Sequence, residues 1–401
     1  MAKANVLFLL VLASLPIQLN KFFFTPDSSV LGIPIDYLAL NFYLSDFFIL
    51  TFIITAFAEN FKNLPQIIRR QKILIIALTL FNFYLLGNTA LVSRFFIPAI
   101  IFNLKILEFS LLSILGTVYF SKPGLWGKIS RVLAFSLVWA SAVIALEFIF
   151  QKSLGLWILG ERAFDSTTTS IAHFEIAGIQ SLRPYGTFPH PNVAAAFLVI
   201  FSLLLASYHQ KRLNLRSLPL AAVAIILTFS KAAILASFLG LFILHKYRPL
   251  LLVFLLPVIF ILIFSGPIPE IQIQSLAERF TLAQASLTIA RENLAFGVGT
   301  ANFIPALSQL DLFSSLSARL LQPVHNVFLL ILAEGGLVGL GLFVALIVVV
   351  ALKAGTLPKL SLFVVLLVFL SVDHFLWTLQ QGQMLFFLTV AFILANSTNN
   401  V

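Results

Sequence analysis

The chain has 401 residues, of which 60% are hydrophobic and only 10% charged, and its mean hydropathy is +1.05. That excludes a soluble domain of this length, because apolar runs of about 17–25 residues are the mark of bilayer-spanning helices. Cysteine is absent, which excludes a disulfide framework, a thiol nucleophile and a Cys-ligated metal. The net charge of +10 invites a nucleic-acid reading, which the placement of the charges removes.

In chain order, hydropathy predicts an all-α integral membrane protein, a single polytopic domain over 1–401 with about twelve transmembrane helices. The spans fall near 5–20, 37–58, 73–88, 95–120, 129–150, 191–208, 217–229, 232–244, 249–265, 325–350, 360–376 and 382–396. The first follows Lys3 and lacks a clear small-x-small cleavage site, so it reads as an uncleaved helix rather than a signal peptide. With the N-terminus inside, the even connections carry Lys62/Arg69/Arg70/Lys72, Lys122/Lys128/Arg131, Lys211/Arg212/Arg216, Lys246/Arg248 and Lys353/Lys359, with Glu59 the lone acid. The opposite side carries Asp27, Glu161, Asp165, Glu175, Glu270, Glu278, Glu292 and Asp311. This is the positive-inside pattern at each cytoplasmic connection; it accounts for the basic excess and puts both termini in the cytoplasm.

Two outer loops are long, and long loops in a compact protein carry function. The loop over 151–190 ends in a rigid polar cassette, Arg183-Pro184-Tyr185-Gly186-Thr187-Phe188-Pro189-His190-Pro191-Asn192, from which an apolar helix starts. The loop over 266–324 holds an amphipathic helix with Leu276, Phe280, Ala283, Leu287, Ala290 and Leu294 on one face and Arg279 and Arg291 on its flanks. Such a helix rests on the membrane surface or on the bundle, holding arginines at headgroup level. A second helix opens at Gln322-Pro323-Val324-His325-Asn326. A helix N-terminus presents free N–H groups and partial positive charge, a seat for phosphate.

Arg183, His190, Asn192, Lys231, Arg279, Arg291, His325, Asn326, Asp373 and His374 all fall on the outer side of this topology. Arg183 reads either as an interfacial arginine or as a guanidinium held by its Pro/Gly frame for bidentate phosphate binding. His190 reads as the cap of the helix that Pro191 starts, with a catalytic role as the alternative. His325 is the candidate base, with Asn326 orienting it or the substrate, because a helix N-terminus disfavours the imidazolium; a capping histidine is the alternative. Arg279 divides between phosphate ligand and surface-helix residue, whereas Arg291 reads as structural. Lys231 is an electrostatic neighbour of the site or a turn lysine, and Asp373-His374 a second polar pair or part of an interfacial belt with Trp377. Lys105 and Glu108, at i and i+3, are expected to neutralise each other, and Asp46 and Glu147 have no evident role. Chain spacing shows no metal-ligand cluster, and there is no Walker, dinucleotide or nucleophile-elbow motif, so no cofactor is expected and the energy comes with an activated substrate.

These residues resemble the O-antigen ligase family, polytopic glycosyltransferases that include related surface-polysaccharide polymerases. The resemblance rests on Arg183-x-x-Gly186-Thr187-Phe188-x-His190-Pro191-Asn192 and on Ser230-Lys231-Ala232, where the family usually has Ser-Arg. It continues through Arg279, Gly297-Val298-Gly299 and Phe303 to His325-Asn326 and Glu334-Gly335-Gly336, roughly residues 180–345. It implies a GT-C-type bundle in the bacterial cytoplasmic (inner) membrane with its site facing the periplasm or outside. It implies an undecaprenyl diphosphate-linked glycan as donor, surrounded by membrane lipids, and a lipid-linked or lipid A-core-type glycan as acceptor. It also implies transfer en bloc with inversion, without a nucleotide sugar or required metal, in which Arg183 and Arg279 would hold the diphosphate and His325 would activate the acceptor hydroxyl. A polymerase of the same fold and a flippase without chemistry are the alternatives, and a flippase calls for mid-membrane charges and symmetry-paired broken helices.

Overall fold

A computed structural model describes residues 2–169, 171–176, 178–207, 217–244, 270–310 and 320–396. The ninth predicted span, the basic residues Lys211, Arg212, Arg216, Lys246 and Arg248, and Asp311 lie outside the described residues. The chain is 72% helical with little sheet. Among the described residues five helices are long and apolar enough to cross a membrane: Leu44–Arg70, Lys72–Leu91, Phe96–Phe120, Pro123–Phe150 and Val327–Ala351. Shorter apolar helices cover Lys3–Ser14, Pro191–Ala206, Ser217–Leu227, Lys231–Ile243, Leu357–Val372 and Gln380–Leu394.

The predicted first and second spans are trimmed where they meet. The first helix, α1 (Lys3–Ser14), ends early, and the predicted span from 37 becomes helix only at α2 (Leu44–Asn60). Between them lie two hairpins, in which β1 (Asn20–Phe23) pairs antiparallel with β4 (Leu40–Tyr43) and encloses the pair β2 (Ser29–Val30) and β3 (Ile33–Pro34). The cause is local: the Asp46 carboxylate accepts the Tyr43 N–H at 2.8 Å and so fixes the helix start.

Asp46 has a further role that hydropathy does not reveal. It pairs with Lys105 on the helix Phe96–Phe120 and accepts from the Gln380 carboxamide on the helix Gln380–Leu394, binding three helices through one buried carboxylate. The predicted Lys105–Glu108 pair is therefore corrected. Three acceptor contacts satisfy Asp46 where it is buried, and Lys105 follows the better-placed carboxylate.

Val327–Ala351 is broken at Gly336, whose φ of +62° and ψ of −166° are not helical. The break is filled by main chain from 294–299. Val298 N–H donates to the Ala333 carbonyl and Gly299 N–H to that of Glu334, each at 2.9 Å, and Leu337 N–H returns to Leu294 at 2.9 Å. A Cβ at Gly336 would lie 2.3 Å from the Ala295 carbonyl oxygen, and one at Gly297 would lie 2.3 Å from that of Glu334. Only glycine admits so close a backbone crossing. Gly297 and Gly336 thus form one clamp, which anchors the C-terminal end of the amphipathic helix.

Chain ends and basic connections meet at one end of the bundle. Ala4 N–H donates to Glu59 (3.1 Å), Lys122 to Asn5 (3.1 Å), Asn396 N–H to Ser121 (3.0 Å), and Lys359 to the Ala395 carbonyl. The hairpins and the loops around 157–190, 322–326 and 373–380 converge elsewhere, about one cavity.

Candidate active site

The cassette that leads into Pro191–Ala206 is held from below. Its Tyr185 and Gly186 N–H groups both donate to one oxygen of Glu147, at 2.7 Å each, and Gly186 takes a φ of +60° to permit it. This gives Glu147 its role: it folds the turn that aims Arg183. His190 accepts the Asn192 N–H on Nδ1 at 3.1 Å and so caps the helix, with Pro191 at the first helical position.

Arg183 is half-buried. Its Nε donates to the Thr228 carbonyl and its Nη2 to Asn192 Oδ1, both at 2.8 Å. Burial, together with the nearby charge of Arg279, lowers its pKa to about 10, with Tyr185 and Asp373 opposing, so it stays cationic at neutral pH. Asn192 relays the contact onward, its Nδ2 donating to Asp373 Oδ2 at 2.7 Å.

Asp373 is the centre of the site. The sequence alone offers it as a second polar pair with His374 or part of an interfacial belt, because its partners come from distant segments. It follows the helix Leu357–Val372, and its Oδ1 accepts the His374 N–H at 2.8 Å. The same oxygen lies 3.4 Å from His325 Nδ1. Burial works against ionisation here, but the His325 hydrogen bond and the charges of the facing histidines outweigh it and hold Asp373 well below the usual carboxylate range. His374 is buried, which pushes its pKa down to about 3 against the pull of Asp373. Its Nδ1 meets Thr378 Oγ1 at 2.7 Å. The rings of His325 and His374 lie 5.1 Å apart.

His325 is not the helix cap. Asn326 is, accepting the Leu329 N–H at 3.0 Å while its amide donates to the Ser371 carbonyl at 2.9 Å. That leaves the His325 ring out of the helix start, with Nδ1 facing Asp373 and Nε2 without a hydrogen-bond partner among the described residues, the arrangement an Asp–His pair would need to accept a proton. Arg279 reaches the same loop, its Nη1 donating to the Val372 carbonyl at 3.0 Å. Arg291 lies exposed in the last turn of that helix, Glu270–Glu292. The helix packs inward through Leu282, Ala285 and Ile289, whereas Leu276, Phe280, Leu287 and Leu294 of the predicted stripe are exposed. Lys231 is exposed in the first turn of the helix that Ser230 caps.

Folding also does what chain spacing did not suggest. His325, Asp373 and His374 offer three ligand atoms, all within 4.8 Å of one another, a set that could hold a transition cation. The ligands are drawn from two separate segments, hence the absence of a metal pattern in the sequence.

A cavity of about 640 Å³ opens on the histidine side and is lined by His190, His325, Asp373 and His374. Neither Arg183 nor Arg279 lines it. The arginines and the cavity therefore flank Asp373 from different directions. The O-antigen ligase family model matches residues 192–344 of the chain, so that part is similar to the family. Among curated proteins none matches the chain.

Proposed function

We propose that this chain, a member of the O-antigen ligase family through residues 192–344, transfers a glycan from a polyprenyl diphosphate to an acceptor hydroxyl. The family supplies the coarser statement that it is a bacterial membrane protein with a surface-polysaccharide glycosyltransferase role acting on lipid-linked glycans. The observation that carries the finer reading is the Asp373–His325 pair facing a cavity while Arg183 and Arg279 approach Asp373 from outside it.

In this reading the donor's diphosphate lies against Arg183 and Arg279. Arg183 uses two N–H groups on Thr228 and Asn192, and its other guanidinium donors have no acceptor among the described residues, leaving them to meet phosphate oxygens. The acceptor hydroxyl lies at His325 Nε2, which takes its proton as the oxygen attacks the anomeric carbon from the face opposite the leaving diphosphate. The C–O bond to the diphosphate breaks, the arginines meet the charge that develops there, and the anomeric centre inverts. General-base help of this kind contributes about 10²–10⁴-fold.

We hold the reaction to be independent of metal, since Asn192, the His374 N–H and His325 already engage both Asp373 oxygens and two arginines supply positive charge. The site faces the outside of the cytoplasmic membrane in a chain of about twelve spans, a reading supported by the described basic connections near Glu59, Lys122 and Lys359, which gather with the chain ends. A single cysteine at Ser166 is then labelled by an impermeant reagent in whole cells and one at Thr356 is not; the reverse pattern ends this orientation.

The deciding test is reconstitution in liposomes with a lipid-linked oligosaccharide and no nucleotide sugar, with and without chelator. The expected product is a glycan on a foreign acceptor, formed equally in both. A longer lipid-linked chain instead identifies a polymerase, and movement of the lipid across the bilayer without a new bond identifies a flippase.

A further inference from the structure

We infer that the cavity wall built by the N-terminal hairpins, the turn at 157–162 and Gln322 is a saccharide subsite that selects the acceptor glycan. The inference deepens the proposed transfer reaction and rests on it for the word acceptor. It rests on three observations.

The first is the make-up of the wall. Besides the histidines the cavity is lined by the rings of Tyr37 and Trp157 and the carboxamides of Gln18, Asn20, Asn41 and Gln322. Flat apolar faces edged by amides suit a sugar, whose ring carries C–H groups on its faces and hydroxyls at its rim. An amide both donates and accepts and so matches a hydroxyl in either role. A volume of about 640 Å³ is in the range of small-ligand pockets, roughly 300–1,000 Å³.

The second is that much of this polar capacity is unused by the protein. The side chains of Gln18 and Gln322 make no hydrogen bond among the described residues. Asn20 and Asn41 spend their amide groups on the Gln18 and Ala39 carbonyls, and each keeps its side-chain oxygen as an acceptor. Trp157 is 71% exposed at the rim, a placement that contributes nothing to the core. An exposed aromatic face beside amides with unused donors and acceptors is open to a ligand that offers C–H groups and hydroxyls together.

The third is the connection to the chemistry. Tyr37 stands edge-on to His374, with ring centroids 5.6 Å apart, so this wall touches the reacting cluster directly. The arginines assigned to the diphosphate do not line the cavity, which leaves it for the partner that brings a hydroxyl. A site built to hydrogen-bond hydroxyls discriminates sharply against sugars that lack or misplace one.

The experiment uses the full chain in detergent on an array of defined di- to pentasaccharides without lipid or diphosphate. The expected result is retention of a subset of neutral sugars. Trp157→Ala and Gln322→Ala each weaken that retention about tenfold or more, the scale of one lost stacking or hydrogen-bonding contact. Tyr37→Ala does the same and Tyr37→Phe restores it, at matched thermal stability. Arg279→Ala keeps the binding although it impairs transfer. Retention of no saccharide, or loss through Arg279→Ala with none through the wall variants, overturns the subsite. Saccharide binding in a protein that transfers nothing leaves the subsite standing and removes the enzyme reading, so the two failures are distinct.

Discussion

The two sides of Asp373 are built differently. On one, the Thr228 carbonyl, Arg183 and Asn192 form a chain of hydrogen bonds of 2.7–2.8 Å that ends on the carboxylate and fixes the guanidinium while leaving its other donors free among the described residues. On the other, His325 meets the carboxylate at 3.4 Å and its ring opens on the cavity. Tight satisfaction fixes position, and a looser contact beside open space leaves room for a substrate to complete it. The difference separates a side that holds charge in place from a side that moves a proton.

The largest expected effect breaks the histidine side. His325→Ala removes the proton acceptor and should lower transfer by about 10²–10⁴-fold while lipid-linked donor still binds. Asp373→Asn should cost less than that, since it disorients the ring without deleting it, and Asn192 loses its carboxylate partner. Product formation measured beside donor binding decides between them. Normal turnover in His325→Ala with none in Asp373→Asn would assign the base to Asp373.

How far the sequence reached follows from where each contact comes from. The cassette, His325 and Arg279 are legible because each lies in a local pattern of Pro, Gly, polar residues or helical periodicity. The Asp373–His325 pair is not, because its members are 48 residues apart and no local rule joins them. Glu147 and Asp46 looked anomalous for the same reason: their partners are the Tyr185–Gly186 turn and Lys105 on other elements. Glycine supplied an intermediate case. Gly297 and Gly335-Gly336 stood out as motifs, yet that they clasp one another through their backbones is visible only once both are placed. The periodicity of the amphipathic helix is legible, with Leu276, Phe280 and Leu287 of its stripe exposed and Ala290 buried. The inward face is made of Leu282, Ala285, Ser286, Ile289 and Ala290, and Ser286 donates to the Leu329 carbonyl of the broken helix.

On the arginine side the effects should be smaller and graded. Arg279→Ala is expected to lower transfer at least tenfold, the loss of one charge-assisted contact at about 1.5–3 kcal/mol. Arg291→Ala, exposed at the far end of the same helix, should cost much less. Arg183→Lys keeps a positive charge but cannot reproduce the fork that serves Thr228 and Asn192 together, so it should stay impaired. Donor KM should rise in the first and third while acceptor KM holds. Equal mild losses at Arg279 and Arg291 would return the helix to a purely structural role.

The smallest expected effect concerns His190, which lines the cavity yet spends Nδ1 on the Asn192 N–H. His190→Ala should lower stability by about 0.5–2 kcal/mol, the loss of an N-cap, with transfer per folded molecule largely kept. Acid gives the sharper form of this test. Burial, reinforced by Arg183, lowers the folded pKa of His190 to about 3, below the usual 6.5. Between those values the unfolded chain binds a proton that the folded chain refuses, so this contribution to stability is present above about 6.5 and is lost as pH falls toward 3. His190→Asn retains a capping side chain that does not titrate. Its melting temperature should therefore fall less than that of the unsubstituted protein between pH 7.5 and 5. His374, with the same direction of shift, remains to titrate in both proteins, so part of the acid sensitivity should persist. An identical pH dependence in the two proteins would mean that the ring of His190 is not held neutral by the fold.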